Sequence, residues 1–270
     1  MRPHHIHDIT LPAIVLALCS IFSCKPSKTD HTHTAKTDTI PLRIAILPTS
    51  ECAAIEQGFA NHHWCDTLSF DIKFVHYDAL TDIDTAILRR SADIFLADSV
   101  RIATAKHIPD SIRQGLKMLI PLPHNIMLIT NADKKISKIP RLKESMVGVP
   151  RWCMADTWLT TLLDSASAKA SNKESFTTED VYRAQINSLR VRHKMLSDGL
   201  IDAAILPQPW ADSLINANHR TLAKSQLKGI GLYTLAETIS DPAKATRIET
   251  FRKVVQQQSE KKSHATSSGE

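Results

Sequence analysis

Short apolar segments alternate with helix-like segments along this chain. In the first half, LRIAILP (42–48), FDIKFVHY (70–77) and ADIFLAD (92–98) have the length and the β-branched content of strands. A segment with apolar residues at helical spacing follows each of them. Strand followed by helix, repeated, predicts a parallel sheet with helices on its faces.

The same order starts again after residue 145. MVGVP (146–150), DVYRAQIN (180–187) and IDAAILP (201–207) have the pattern of strands, and the segments 151–166 and 188–199 have the pattern of helices. The apolar stretch KMLIPLPHNIMLITN lies between the two series and is too short and too interrupted by proline to cross a membrane. Two similar halves joined by one extended segment predict a two-lobed α/β protein.

Ligands of open α/β sheets bind beyond the carboxyl ends of the strands, where helices begin and backbone N–H groups point outward. Two prolines, Pro207 and Pro209, end the last of these strands, so Gln208 and Trp210 are expected at the mouth of the cleft. By this rule the cleft is formed by Pro48–Cys52, Asp98–Ser99, Pro150–Met154 and Pro207–Trp210.

The N-terminal segment has the layout of an export signal. Arg2 precedes an apolar stretch from about residue 9 to residue 22, and Ser23 and Cys24 follow it. Ile21-Phe22-Ser23-Cys24 resembles a bacterial lipobox, in which Cys24 becomes the lipidated first residue of the mature chain. The alternative is an ordinary cleaved signal with an incidental cysteine. Residues 1–24 are therefore expected to be a signal, and residues 25–41 and 256–270 a disordered tether and tail.

The charge and the cysteine content of the chain restrict the partners that it can bind and the state of its thiols. The chain has a formal net charge of +5, but its basic residues are scattered, which argues against nucleic acid as a partner. Outside the signal, Cys52, Cys65 and Cys153 remain in an oxidising compartment. Three is an odd number, so at least one thiol is free or pairs outside the chain.

The second half resembles a known family. MVGVPRWCMADTWLTTLLD, followed by MLSDGLIDAAILPQPWADS, is similar to the second lobe of periplasmic substrate-binding proteins of the nitrate/sulfonate/taurine and thiamine-precursor group. The pattern there is a strand ending in Gly-Val-Pro, a helix whose first turn meets the ligand, and a Gly-x-x-Asp-Ala-Ala strand that leads into a Pro-x-Pro-Trp-like turn. LRIAILPTSECAAIEQGFA and SADIFLADSVRIA resemble parts of the first lobe, so the resemblance covers roughly residues 42–255.

The resemblance implies a type 2 Venus-flytrap fold in which the chain crosses twice between the lobes. We expect the crossings near Pro121–Met127 and Ala204–Pro209. Lobe 1 would then consist of residues 42–122 and 207–255, and lobe 2 of residues 123–206.

It also implies a binding function. The expected protein is a lipid-anchored monomer of a bacterial cell envelope, facing the periplasm or the cell surface, which delivers a small molecule to an inner-membrane ABC permease. Alternatives are a sensor or scavenger without transport, or an enzyme of the thiamine-precursor or menaquinone type on the same fold. The chain has no Gly-x-Ser-x-Gly elbow, P-loop or metalloprotease helix, and an export signal argues against such biosynthesis, so we expect no enzyme and no cofactor.

The second-lobe helix departs from the family at its start. Family members often carry Ser or Thr there, whereas this chain has Trp152, Cys153 and Met154. These side chains favour a flat or heteroaromatic ligand, stacked on Trp152, or a soft metal complex. Cys52 and Cys153 have three possible roles: a disulfide across the cleft, soft metal ligands with Met154 and His124, or small buried residues.

The residues expected to bind the ligand are all at strand ends, at helix starts or on the crossover. No CxxC or HxxxH spacing supports a metal site, and none is predicted. The predicted ligand-binding residues are Thr49, Ser50, Glu51, Cys52, Asp98, Ser99, His124, Asn125, Arg151, Trp152, Cys153, Met154, Gln208 and Trp210.

Overall fold

The computed structural model describes residues 40–61, 64, 68–131, 133–169 and 176–267, with side chains described up to residue 258. The expected signal, Cys24, Cys65 and all of the expected tether except its last two residues lie outside the described residues. The described strands are β1 (Leu42–Ile46), β2 (Ile72–His76), β3 (Ile94–Asp98), β4 (Leu116–Pro121), β5 (His124–Thr130), β6 (Met146–Val149), β7 (Tyr182–Gln185), β8 (Ala203–Pro207), β9 (Arg220–Leu227) and β10 (Ile230–Leu235). The described helices are α1 (Ser50–Ala60), α2 (Leu80–Arg89), α3 (Ser99–Thr104), α4 (Asp110–Gly115), α5 (Met154–Lys169), α6 (Leu189–Ser197), α7 (Trp210–Asn216), α8 (Ala236–Ile239) and α9 (Pro242–Ser267).

Two five-stranded sheets form the two lobes. The first has the strand order β2-β1-β3-β10-β4 and the second has the order β7-β6-β8-β5-β9. In each sheet three neighbouring strands are parallel, and the strands that lead into and out of the other lobe are antiparallel to their neighbours. This arrangement confirms the two-lobed α/β fold class predicted from the alternation of strand and helix patterns.

The chain crosses between the lobes at two places. The first crossing lies between the end of β4 at Pro121 and the start of β5 at His124, inside the expected segment. The second lies between β9 and β10, at Lys228 and Gly229, and the expected position at Ala204–Pro209 is wrong.

The second crossing lies later in the chain than expected because β9 pairs with a strand of the second lobe. Pro207 does end β8, but the chain then forms α7, which packs on β5 and β8, and β9 pairs antiparallel with β5. Residues 207–227 therefore belong to the second lobe and not to the first. The sequence alone shows the end of β8, whereas the pairing partner of β9 depends on contacts distant in the chain.

The C-terminal segment also differs from expectation. Helix α9 runs to Ser267, so the prediction of a disordered tail from residue 256 is wrong. Its buried residues include Phe251, whose ring stacks on that of Phe59 in α1 with centroids 5.4 Å apart. Once packing has formed the first turns of a helix, each further residue is added at little cost, so a polar segment can continue it.

The two strands that end at Asp98 and Pro207, beside the cleft, lie in the interior of their sheets. All five residues of β3 and of β8 are buried, as expected for central parallel strands. Every described residue belongs to one compact unit, Thr39–Glu270, and one continuous apolar cluster includes residues of both sheets. Among the described helices, none combines the length and apolarity needed to cross a bilayer.

Candidate functional site

A cavity of about 50 Å³ lies between the lobes, at the carboxyl ends of the parallel strands. It is largely apolar, and the polar groups on its wall are few. Its lining consists of Leu47, Thr49, Leu80, Asp98, His124, Ile126, Pro150, Cys153, Ala155, Asn187, Leu189, Arg192, Ile205, Pro207, Leu227 and Ile230. A partly open cavity with a few converging polar groups, at the carboxyl ends of the strands, lies where ligands of open α/β sheets bind.

Helix α1 begins at the cavity and reaches across to the second lobe. Thr49 caps the helix, since its hydroxyl oxygen accepts a hydrogen bond from the backbone N–H of Cys52 at 3.4 Å. The N–H of Ser50 donates to the carbonyl oxygen of Gln208 at 2.9 Å. Thr49 therefore lines the cavity, while Ser50 joins the lobes through its backbone.

The carboxylate of Glu51 links α1 to the start of β5. Its oxygens accept hydrogen bonds from the backbone N–H of Asn125 and from the ring of His124, both at 3.1 Å. Burial alone would raise the pKa of Glu51, but the hydrogen bond and charge of His124 and the backbone N–H of Asn125 outweigh it and hold the pKa at about 2. His124 and Asn125, at the first crossing between the lobes, are thus joined to α1. His124 also lines the cavity.

Asp98 bridges the two lobes at the cavity. One carboxylate oxygen accepts from the N–H of Arg101 in α3 at 3.0 Å, and the other accepts from the N–H of Met154 in α5 at 2.9 Å. The residue is 1% exposed, and burial raises its pKa although these N–H groups favour the charged form. Ser99, next in the chain, donates its N–H to the carbonyl oxygen of Gly229 and places its hydroxyl 3.8 Å from the sulfur of Met154.

Asp78 makes a second bridge of the same kind, which the sequence did not indicate. Its carbonyl oxygen accepts from the N–H of Leu189 at 2.9 Å, and its carboxylate accepts from the N–H of Arg190 at 3.2 Å. The hydroxyl of Ser188 contacts the same carboxylate. The first turn of α6 in the second lobe is therefore capped by an aspartate from the first lobe.

Two more contacts join α3 to the loop before α5. Arg101 is buried and paired with Asp84, and its guanidinium donates to the carbonyl oxygen of Arg151 at 3.1 Å. Thr104 donates its hydroxyl to the carbonyl oxygen of Trp152 at 3.3 Å. The side chain of Arg151 turns to Asp156 in α5, at 3.0 Å, and does not line the cavity.

Arg192, in the middle of α6, places a guanidinium in the cavity wall. It is 2% exposed and donates to the carbonyl oxygens of Ile205 at 2.7 Å, of Ile186 at 2.5 Å and of Asn187 at 3.4 Å. Burial lowers the pKa of Arg192 to about 10. An arginine inside a helical pattern gives no sequence signal of this position, because such residues usually point to solvent.

The two cysteines that the structure describes are separate buried thiols. Neither Cys52 nor Cys153 forms a disulfide, and Cys153 donates to the carbonyl oxygen of Pro150 at 3.1 Å. Burial raises the pKa of both to about 11, so both are protonated near neutral pH. Within the described ranges, no three His, Cys, Asp or Glu side chains come together as ligands for a metal. Only Cys153 lines the cavity, and of the three roles considered for the pair, the structure agrees with small buried residues.

The predicted tryptophans lie away from the cavity. Trp152 has a positive φ of 56° and its side chain is 57% exposed, so the structure does not place it where it could stack on a ligand. Trp210 donates its ring N–H to the carbonyl oxygen of Pro48 at 2.8 Å and so joins α7 to the first lobe. Gln208 donates its side-chain amide to Asp212 at 3.3 Å.

Four predicted residues therefore line the cavity, namely Thr49, Asp98, His124 and Cys153. Most of the others make contacts around it that join the lobes. The apolar lining was not identified from the sequence, since apolar residues at strand ends look the same whether they face a cavity or the core. Pro150 and Pro207 are exceptions, because the proline that ends each strand marks the cleft.

No protein-family model and no curated protein matches this sequence. Solved structures do match its fold. The alkanesulfonate-binding protein SsuA from Xanthomonas axonopodis pv. citri bound to MOPS has a TM-score of 0.59 and 14% identity, over 81% of this chain and 80% of that one. PhnD1 from Prochlorococcus marinus (MIT 9301) in complex with methylphosphonate has a TM-score of 0.56 and 12% identity, over 79% and 82%.

A third structure is the ligand-binding component of an ABC-type import system from Staphylococcus aureus with zinc bound. Its TM-score is 0.60 and its identity 12%, over 80% of this chain and 74% of that one. The three proteins differ in bound ligand but share the two-lobed architecture described above. The chain thus has the type 2 fold of the periplasmic substrate-binding proteins of ABC importers, which its strand-end motifs predicted.

Proposed function

We propose that this chain is a solute receptor whose lobes close on a small ligand in the interlobe cavity. The observation that carries the proposal is the cavity itself, which lies at the carboxyl ends of strands from both lobes. Closure needs no chemistry from the protein, only a greater affinity of the ligand for the closed form than for the open form. The fold, shared with binding proteins of importers, supports the same function.

The size of the cavity restricts the ligand. About 50 Å³ is room for about three to five waters, at about 10–15 Å³ each. The closed form therefore suits a ligand of a few non-hydrogen atoms, and a larger ligand requires the lobes to stand further apart. Thr49 and Asn187 provide uncharged polar groups on the wall, and His124 provides ring nitrogens.

Delivery to an inner-membrane ABC permease is part of the proposal, with Cys24 as the lipid anchor that keeps the receptor at the membrane. A lipidated Cys24 predicts that labelled palmitate is incorporated into the protein and that Cys24→Ala abolishes the incorporation. Equal labelling of the two forms would refute the anchor without affecting the binding function.

Thermal unfolding of the purified protein against a panel of compounds tests the binding function. The panel contains small neutral molecules, pyrimidine and purine compounds, sulfonates, nitrate and soft metal ions. A ligand at a hundredfold its dissociation constant adds about 2.7 kcal/mol to the free energy of unfolding. Small-angle scattering with the hit compound should show a smaller radius of gyration, and a bound ligand that leaves the shape unchanged would contradict closure.

A further inference from the structure

The first turn of α5 is already occupied by an anion from the chain itself. Met154 is the first residue of this 16-residue helix, and its N–H donates to the carboxylate of Asp98 in the other lobe at 2.9 Å. Asp98 is 1% exposed, so solvent does not compete for that position. The N-terminus of a helix attracts negative charge through its free N–H groups and its dipole. Here a carboxylate takes the place that the charged group of a bound anion would take.

Helix α6, which also begins at the cavity, is occupied in the same way. Asp78 accepts from the N–H groups at the start of α6 with both its carbonyl oxygen and its carboxylate. The N–H groups of Met154 at the start of α5 and of Leu189 and Arg190 at the start of α6 are thus occupied by aspartates of the first lobe. An anionic ligand would find neither helix start free and would have the Asp98 carboxylate beside it.

The remaining charges of the cavity wall are satisfied within the protein. Arg192 is the cation of the wall, and it donates to three backbone carbonyl oxygens at distances up to 3.4 Å. The ring of His124 is held by Glu51 at 3.1 Å. The Asp98 carboxylate and the Arg192 guanidinium offset each other on the wall, and His124 is paired with Glu51, so these lining groups offer an anionic ligand no unpaired cation.

We propose that Asp98 is a specificity-determining residue, which fills the anion position at the start of α5 and so restricts the cavity to small uncharged ligands. This inference rests on the proposed function, because it names the class of ligand for the same cavity. The carboxylate accepts the N–H of Met154. Removing the whole carboxylate therefore frees this N–H group at the helix start, whereas removing only its charge does not.

Substitution of Asp98 by two different residues tests the proposal. Asp98→Ser keeps a side-chain oxygen that can cap α3 but is too short to reach Met154, so it vacates the anion position. Asp98→Asn removes the charge and keeps the position filled. We expect Asp98→Ser to bind methanesulfonate at least tenfold more tightly than the wild-type protein, measured by titration calorimetry in a chloride buffer of constant ionic strength. Asp98→Asn should bind it no better than the wild-type protein.

A matched control removes an equal charge elsewhere. Asp110→Ser changes an aspartate at the start of α4, outside the cavity lining, and its affinity for methanesulfonate should equal that of the wild-type protein. The same affinity gain in Asp110→Ser and Asp98→Ser would mean that overall charge, and not position, controls anion binding, and would overturn the proposal.

Anion binding to the wild-type protein tests the proposal even if Asp98→Ser does not fold. Saturable binding of methanesulfonate, nitrate or sulfate to the wild-type protein would overturn the proposal, and loss of that binding in Arg192→Gln would place the anion at Arg192. A failure of the proposed receptor function gives a different result from a failure of the proposal about Asp98. If no neutral compound stabilises the wild-type protein, the receptor function is in doubt, whereas a new anion site in Asp98→Ser would still show what Asp98 occupies.

Discussion

Arg192 shows how a single side chain can hold several segments of a lobe together. Its guanidinium is buried in α6 and donates to carbonyl oxygens of β8 and of the loop after β7. A buried charge is costly unless hydrogen bonds satisfy it, and here three backbone carbonyl groups do so. The residue therefore connects three segments that meet at the cavity.

We expect Arg192→Met to lower the free energy of unfolding by about 2–4 kcal/mol, because buried carbonyl groups lose their donors. Arg192→Lys keeps a charge but offers one ammonium in place of the planar guanidinium, so its loss should be intermediate. Urea denaturation monitored by circular dichroism measures both. A Met variant as stable as the wild-type protein would show that these hydrogen bonds contribute nothing net.

The thiols of Cys52 and Cys153 should be unreactive in the folded protein. Burial raises the pKa of each to about 11, and the reactive thiolate is therefore scarce at about pH 8. Peptide mass spectrometry after iodoacetamide treatment should find both cysteines unmodified in the native state and modified in urea. Modification of Cys153 in the native state would mean that the cavity opens to solvent.

Helix α1 connects the lobes through its first turn, and this connection should depend on pH. The pKa of Glu51 is held at about 2, below its ordinary value of 4.5. A lowered carboxyl pKa contributes stability that is complete above the ordinary pKa and is lost as the pH falls towards the lowered one. The contribution of Glu51 should therefore disappear between about pH 4.5 and pH 2.

Glu51→Gln removes this titration and keeps an oxygen that can accept from the N–H of Asn125. We expect its urea midpoint to fall less steeply than that of the wild-type protein when the pH is lowered from about 5 to about 3. Glu179→Gln changes an exposed carboxylate and is the matched control. Parallel pH profiles of wild-type protein and Glu51→Gln would refute the role of the pair with His124.

The two lobes approach each other closely at the second crossing. A Cβ atom on Gly229 would lie 2.4 Å from the hydroxyl oxygen of Ser99 in one lobe and 2.5 Å from the sulfur of Met154 in the other. At such distances a side chain at position 229 fits only if the side chains of Ser99 and Met154 shift, so the present approach of the two lobes suits glycine here.

Gly229→Val should push the lobes apart, increase the radius of gyration in small-angle scattering and weaken the binding of any stabilising compound by at least tenfold. Gly115→Val is a control, since the nearest atom to a Cβ there is the Cβ of Ala236 at 4.0 Å. If Gly229→Val keeps the wild-type shape and affinity, the side chains of Ser99 and Met154 can move aside and the glycine does not control closure.

The strands and helices that alternate along the chain were predictable because each carries its own periodicity. The patterns of residues 42–48, 92–98 and 201–207 predicted strands, which the structure contains as β1, β3 and β8. The prolines at positions 48, 150 and 207 predicted the position of the cleft. Thr49, Asp98 and Cys153 follow directly from those strand ends. Residues 256–270 were predicted as a disordered tail, whereas in the structure the polar end of α9 continues a helix anchored by Phe251 up to Ser267.

Local pattern in the sequence was sufficient for the two-lobed fold class and for the side of each sheet where the cavity lies. Hydrophobic periodicity and strand-ending prolines act within a few residues, so they are visible without a partner. The partner of β9, the bridges made by Asp78 and Asp98, and the guanidinium in the cavity wall depend on groups up to 112 positions apart. The pairing of β9 and the contacts of Arg192 form only when the second lobe folds, and the aspartate bridges form only when the two lobes are packed together. A carboxylate caps a helix wherever the fold brings it, irrespective of its distance along the chain.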